Sequence, residues 1–376
     1  MKMNKSKIVL IALAVILCNY AHSQDSWEPQ KHITGYLSTQ AEYIDGLKIF
    51  ERNYGVSLNE AGILCTYQPL QKLTFKTTFV YRPGLLFDQM LNDAYAEWKF
   101  NSNIGIKFGR FLTPLSPLNL AQYAPMNNAA SLPMLVTHHN MYPMHVDGIS
   151  LNGSIGELVK LNYNVFAGGY FDAGYLAFDP IGYAGKEVLY TEALEVNGKF
   201  DADVKTADMA LFGAAGAHLA LNFNDVFNIG LNSFLGGTDK YVNPYDSASV
   251  AEAGNTNVGN GTKHAFGFDA KLKISKFQLS GEQWFGKLSA VNEPSQDISG
   301  GFYELNGTFG NFTPYLQFER HLMYDLHYSR YVAGLNFKPT FETTFKLEYF
   351  NFAFDGNEDL AKYSMNGLIA SIIYSF

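Results

Sequence analysis

Phe341-Glu342-Thr343-Thr344-Phe345-Lys346-Leu347-Glu348-Tyr349-Phe350-Asn351 alternates apolar and polar side chains almost residue by residue. Phe341, Thr343, Phe345, Leu347 and Tyr349 would share one face of a strand, and Glu342, Thr344, Lys346 and Glu348 the other. The same period of two runs through Leu73, Phe75, Thr77, Phe79 and Tyr81 against Lys72, Thr74, Lys76, Thr78 and Arg82. It returns in His264, Phe266, Phe268, Ala270 and Leu272 against Lys263, Asp269, Lys271 and Lys273. Such runs are 9 to 14 residues long. Globular strands average about 5 to 6 residues, and a tilted strand crossing a bilayer needs about 9 to 11. Period and length together predict membrane-spanning strands, apolar outside and polar inside.

Composition narrows the field. The chain has 376 residues, of which 16% are charged and 15% aromatic, with 30 Phe, 24 Tyr and 34 Gly. A soluble domain carries roughly 25% charge. Mean hydropathy is −0.08, too apolar for disorder, which needs low hydrophobicity with high net charge. A helical transporter needs apolar runs of about 18 or more residues, and the sequence has none. A formal charge of −8 argues against a nucleic-acid partner. Two cysteines make no disulfide scaffold.

The front end reads as an export signal. Lys2, Lys5 and Lys7 precede an apolar run from Ile8 to Leu17, and Ala21-His22-Ser23 supplies small residues at the exit. Cleavage is expected after Ser23, leaving residues 24–376 as one outer-membrane barrel domain. Leu17 before Cys18 does not suit a lipoprotein signal. Losing residues 1–23 takes net charge from −8 to −11 and leaves Cys65 as the sole cysteine. At the other end Leu368, Ala370, Ile372, Tyr374 and Phe376 alternate to a terminal aromatic. This pattern resembles the last strand of bacterial outer-membrane barrels. Tyr374 and Phe376 are therefore read as the signal for the barrel assembly machinery.

Seventeen segments qualify as strands, yet single-chain bacterial barrels have an even number. Short turns at 68–71, 101–103, 154–156, 222–225, 275–276, 310–311 and 339–340 alternate with long connections. That parity fails only if 187–200 spans the membrane. Demoting 187–200 to an outer loop excursion or a helix leaves an all-β antiparallel transmembrane barrel of 16 strands, with 18 as the alternative count. Sixteen strands enclose an aqueous channel, and closure pairs every backbone group in the hydrocarbon.

The polar faces give an inventory of the lumen. Basic candidates are Lys72, Lys76, Arg82, Lys99, Lys107, Lys160, Lys271, Lys273, Arg330, Lys338 and Lys346. Acidic ones are Asp93, Glu97, Asp269, Glu282, Glu319, Glu342 and Glu348. Eleven bases against seven acids leave +4 on the wall of an acidic chain, which predicts a weak anion preference. Thr113 to Val146 holds five prolines and no Asp, Glu, Lys or Arg. Proline at that density excludes a central strand. Residues 113–145 are therefore expected to form the third outer loop, folded into the lumen as a constriction, with Pro114, Tyr123, Asn127, Asn128, His138 and His139 along it. A cap on the outer surface or a subunit contact is the alternative.

Tyr95-Ala96-Glu97-Trp98-Lys99-Phe100, Ile106-Lys107-Phe108-Gly109-Arg110-Phe111-Leu112-Thr113-Pro114, the Pro-rich loop and Asp147-Gly148-Ile149-Ser150-Leu151 follow one another in an order that resembles the porins related to the phosphate-selective porins, in their Bacteroidota-type forms. The resemblance covers residues 90 to 155 and the terminal Phe. It implies a 16-stranded, often trimeric, diffusion channel in the outer membrane of a Gram-negative bacterium, in contact with the lipid bilayer and small hydrophilic solutes. Phosphate selectivity in that family depends on rows of Arg and Lys at the constriction. This loop has none, so phosphate selectivity is not carried over.

Strict alternation puts Arg110 on the lipid side, so a bulge at Gly109 is expected to turn it inward as a pore-lining residue, the alternative being that Arg110 sits beyond the hydrocarbon. His138, His139, Met141, Met144 and His145 offer imidazole and thioether to a soft metal such as copper; the plainer reading is gap-filling by Met and neutral polarity from His. No cofactor is expected. An enzyme would need a nucleophile paired with a base, and no G-x-S-x-G occurs. The second functional reading is an adhesin or structural barrel acting through outer loops near 169–206 and 236–262.

Overall fold

The computed structural model describes residues 27–45, 54–83, 87–137, 141–171, 211–224, 226–238, 261–289, 294–323, 326–355 and 364–376. Sixteen strands among them close into one antiparallel barrel, each paired with its sequence neighbours and the first with the last. They are β1 (Gln30–Asp45), β2 (Tyr54–Leu70), β3 (Leu73–Tyr81), β4 (Leu91–Lys99), β5 (Gly105–Leu112), β6 (His145–Ile155), β7 (Val159–Phe171) and β8 (Leu211–Phe223). The second half is β9 (Phe227–Thr238), β10 (Gly261–Ile274), β11 (Phe277–Ser289), β12 (Gln296–Gly307), β13 (Phe312–Met323), β14 (Leu326–Phe337), β15 (Thr343–Asp355) and β16 (Met365–Ser375). Short helices α1 (Phe87–Met90), α2 (Pro117–Leu120) and α3 (Met134–Thr137) lie in the connections. Residues 187–200 fall outside the described residues, but β7 and β8 pair directly along their whole length, from Val159↔Phe223 to Phe171↔Leu211.

The turns at one end are tight. Asn224 and Ser275 take φ of 51° and 55°, and Gly156 and Gly310 take 102° and 62°, the left-handed conformations such turns demand. The opposite end carries most of the long connections.

The quoted stretch folds as its alternation dictates. Phe345, Leu347 and Tyr349 are exposed, whereas Lys346, Glu348 and Phe350 are buried. Every strand with a clear alternation has such an exposed apolar row, for example Phe266 and Phe268 in β10 and Leu368, Ile372 and Tyr374 in β16. In a closed barrel that row is the outer face, the one that meets lipid in transmembrane barrels, and the buried row is the lumen side.

The lumen side departs from the expected polar lining. Toward the long-connection end it carries Phe166, Tyr170, Phe212, Phe234, Trp284, Leu288, Ile298, Phe302, Tyr328, Val332, Phe350, Phe352 and Ile369, all buried in one cluster. The cause is that part of the chain itself packs into that half. Leu115, Met134, Leu135, Met141 and Tyr142 from the 113–144 segment belong to the same cluster.

Glycine and aromatic residues pair on this inner face. A methyl on Gly267 would lie 2.5 Å from Trp284, one on Gly216 2.7 Å from Phe166, and one on Gly367 2.4 Å from Phe350. Each ring lies flat across a bare glycine on the next strand, as in aromatic rescue of sheet glycines. Rings held against the wall leave room in the lumen for the loop.

The seam that closes the barrel ends on Phe376. Its N–H donates to the Gly35 carbonyl at 2.9 Å and its own carbonyl accepts the Gly35 N–H at 2.9 Å. A side chain at Gly35 would enter the Phe376 ring, 2.6 Å from Cζ. Phe376→Ser removes that ring from the seam between the first and last strands. The heat-modifiable band on unboiled gels should fall clearly below wild type; assembly at wild-type yield would show that the seam does not need it.

Candidate functional site

The 113–144 segment leaves β5 and returns to β6, and it is tied to the inner face of distant strands through its backbone. Ser116 caps α2, accepting the Asn119 N–H, and its hydroxyl donates to Glu282 on β11 at 2.9 Å. Glu282 also accepts the Leu118 N–H at 2.9 Å. The Ala124 N–H donates to Glu60 on β2 at 2.8 Å. The Ala130 and Ser131 N–H groups and the Ser131 hydroxyl donate to Glu348 on β15. The Met134 N–H, opening α3, donates to Glu319 on β13 at 2.6 Å. Asn128 donates to Glu304 on β12 at 2.7 Å.

Cations on the wall take the carbonyls. Lys346 Nζ donates to the carbonyls of Ala124, Asn127 and Ala129 at 2.8, 2.6 and 2.8 Å. Arg330 donates to the Leu132 carbonyl at 3.0 Å and pairs with Glu319 at 2.6 Å. Arg82 reaches the side chain and carbonyl of Gln122 and pairs with Glu60 at 2.5 Å. All these wall charges are buried. A loop bringing its own charges would compete for the same partners; an uncharged one offers only neutral amides and hydroxyls. Its two buried phenols add none, because burial pushes the Tyr123 and Tyr142 hydroxyls well above their ordinary range.

The sequence-derived pore residues fall into four groups. Arg82, Arg330 and Lys346 grip the loop. Lys76 pairs with Asp93 at 2.9 Å, Glu97 accepts from Asn152 at 3.0 Å, and Lys107 lies 5.1 Å from the Tyr95 ring centroid. Lys99, Lys271 and Lys273, together with Lys160, are exposed toward the short-turn end. Lys72 and Glu342 lie in turns rather than on the wall. Lys338 lies just beyond β14, 5.0 Å from the Phe341 ring centroid.

Arg110 is a correction. The ladders on both sides of β5 run through Gly109 and Arg110 without a register shift, so the expected bulge is absent. Gly109 takes φ of +126°, and a side chain there would meet the Ala94 carbonyl. Arg110 forks onto its cross-strand neighbour Asp147 at 2.6 and 2.7 Å, on the alternation face that also carries exposed Phe108 and Ile149.

Along the loop, Pro114 and Tyr123 are buried, Asn127 bonds the Ser131 carbonyl at 3.1 Å, and Asn128 holds Glu304. His138 and His139 lie outside the described residues. Met141 joins the large apolar cluster, and Met144 a second one with Tyr36, Val80, Leu112 and Tyr123. His145 is buried near that second group. The described part of the His and Met group is thus divided between two packed clusters, and no metal-sized group of His, Cys, Asp and Glu occurs among the described residues. The sequence reading left Glu60, Glu304 and Lys263 out of its lumen inventory, although alternation had put Lys263 on a polar face. Lys263 is fully buried on β10, 6.0 Å from the ring centroids of Tyr170 and Phe234.

No family model and no curated relative matches the chain. Solved structures do. An anion-selective porin from Comamonas acidovorans aligns over 93% of this chain and all of its own, at 12% identity and TM-score 0.60. OmpF of Salmonella typhi aligns over 92% and 97%, at 11% and 0.60. The outer-membrane channel DcaP of Acinetobacter baumannii aligns over 94% and 99%, at 10% and 0.56. At these identities the likeness is one of fold alone, the closed 16-strand antiparallel barrel.

Glu348→Ala would leave two loop amides, a hydroxyl and the Tyr315 hydroxyl without their acceptor. Each orphaned buried group costs about 1–3 kcal/mol. Amide exchange at Ala130 and Ser131 should rise by about ten- to hundredfold while exchange in β1–β3 stays at wild-type rates. Unchanged loop exchange would show that Glu348 does not hold the segment.

Proposed function

We infer that the chain is an outer-membrane porin, a passive diffusion channel for small hydrophilic solutes. The observation that carries this reading is a closed barrel of porin size whose one long described connection is bonded to the lumen wall. A barrel needs no such internal fastening to display loops to the outside; a channel needs it to set its width. The residue order from Tyr95 to Leu151 supports a place near the porins related to the phosphate-selective ones. An export signal at 1–23, insertion by the assembly machinery through Tyr374 and Phe376, and homotrimer formation belong to the same reading. A Vibrio cholerae OmpT of similar fold was solved in a trimer form (11% identity, TM-score 0.59).

In this reading residues 113–145 are the constriction. Exposed Leu120 and Met126 give the loop an edge without charge, so no ring of fixed charge stands at the narrowest point. Selectivity then comes from the wall. The wall carboxylates Glu60, Asp93, Glu97, Asp269, Glu282, Glu304, Glu319 and Glu348 are all buried and bonded. Lys99, Lys160, Lys271 and Lys273 stay exposed. Lys76 and Arg82, each in an ion pair, add little to the difference. The outcome is a weak anion preference that fades as salt rises, since screening acts over about 8 Å at physiological ionic strength.

Purified protein in a planar bilayer tests this. The wild type should give steady ohmic steps and a reversal potential slightly toward the anion in a salt gradient. Deleting Leu118 to Thr137 should raise unitary conductance on the order of twofold or more, because a 16-strand barrel without internal packing leaves an open aqueous channel. No steps from a fully heat-modifiable barrel would move the function to the outer loops.

A further inference from the structure

The outer face carries a belt of aromatic rings at the short-turn end. Phe277 and Phe309 lie with ring centroids 5.7 Å apart, Phe312 and Phe337 4.8 Å, and Phe337 and Phe345 6.2 Å. Phe277, Phe309, Phe312 and Phe345 are exposed. In a transmembrane barrel such a girdle marks the level at which acyl chains give way to headgroups.

Three exposed lysines are set against rings at this end. Lys31 on β1 has its Nζ 5.6 Å from the ring centroid of Tyr67, its ladder partner on β2. It shares an alternation face with exposed Ile33 and Leu37. Lys276, in the turn between β10 and β11, lies 5.7 Å from Phe309, and Lys338, just past β14, 5.0 Å from Phe341. Around the barrel β11, β14 and β1 follow one another at intervals of three strands, so the lysines stand about 14 Å apart along an arc.

None of the three makes an ion pair among the described residues, although Glu28 and Glu342 are exposed near them in sequence. At the opposite end of the outer face, Arg110 forks onto Asp147 and Lys287 pairs with Asp297 at 3.6 Å. A ring attracts an ammonium to its face and fixes its position, yet leaves its three N–H donors for a stronger acceptor. Lys99, Lys160 and Lys273 are also exposed at the short-turn end, so that end is basic in a chain whose formal charge is −8.

We propose that the arc Lys31–Lys276–Lys338 binds the phosphate groups of anionic membrane lipids and gathers such lipids around the short-turn end of the barrel. The proposal rests on the outer-membrane reading above. A lipid fits better than an acidic protein because the ammonium groups stand directly beside the girdle, on the convex outer wall, at the depth of the headgroups. The rings meet the upper acyl chain while the lysines meet the phosphate.

The test places the full folded chain in phosphatidylcholine vesicles with a trace of spin-labelled phosphatidylglycerol or, separately, of spin-labelled phosphatidylcholine. Electron spin resonance reads the fraction of each label immobilised at the protein. Wild type should hold the phosphatidylglycerol label about twofold or more in preference, as lysines at a bilayer surface attract anionic lipid. Lys31→Gln, Lys276→Gln and Lys338→Gln together should remove at least half of that preference. Lys287→Gln with Arg320→Gln takes two outward cations from the other end and should leave it as in wild type. All variants are first matched for heat-modifiable yield. Equal immobilisation of the two labels by wild type, or an equal loss in the Lys287 and Arg320 variant, overturns the proposal and leaves the channel standing. A wild type that takes no heat-modifiable form in vesicles overturns the outer-membrane reading itself.

Discussion

A charge facing the interior of a barrel must be solvated, paired or bonded, because leaving it buried and alone costs several kcal/mol. In this protein much of that requirement is met by the peptide groups of one uncharged segment. Glu60, Glu282, Glu319 and Glu348 accept its N–H groups, and Arg82, Arg330 and Lys346 donate to its carbonyls. The dependence is mutual. A proline-rich segment with little helix has backbone groups that no ladder satisfies, and in an enclosed space they too need partners. Wall charges and loop amides answer each other across sequence separations from 40 residues, for Arg82 and Gln122, to 222, for Lys346 and Ala124.

The apolar half of the lumen follows from this arrangement. Once the loop is fastened, its Leu115, Met134, Leu135, Met141 and Tyr142 need a surface to pack on, and the inner rows of β7 to β16 provide one. Tyr142 meets Trp284 with ring centroids 4.8 Å apart. Trp284 in turn lies over Gly267, where any side chain would displace it. The abundance of glycine and aromatic residues thus serves two ends: aromatic side chains populate the outer face, and flat rings over glycine line the packed part of the lumen. The rest of the interior, toward the short turns, keeps amides and exposed lysines.

Much of the fold was legible because period two survives in any strand with one face in lipid. Phe345, Leu347 and Tyr349 show it, as do Phe266 and Phe268. The turn parity found the barrel count for the same reason, since each tight turn forces the next connection to the other end. The packed lumen was not legible. Phe350, Phe352, Ile369 and Ile373 are apolar on the inner face, and nothing local separates them from lipid-side residues. Glu304 was hidden among such neighbours, beside Phe302. Glu60 was hidden by a bulge: Ser38 pairs with Glu60 and Thr39 with Leu58, so Asn59 is skipped and the faces exchange. The charge-free loop itself was plain in the sequence. Its partners were not, because hydrogen bonds such as Ala130 to Glu348 join residues 218 positions apart.

The central claim is that the uncharged segment lies inside, held by the charges of the far wall. A photo-reactive benzoylphenylalanine at Asn128, activated in intact membranes and mapped by mass spectrometry, tests this most directly. The structure predicts cross-links to peptides of β12, around Glu304, and of β15, around Lys346 and Glu348, within the same chain. Cross-links to a neighbouring chain, to lipid or to the outer connections alone would contradict it.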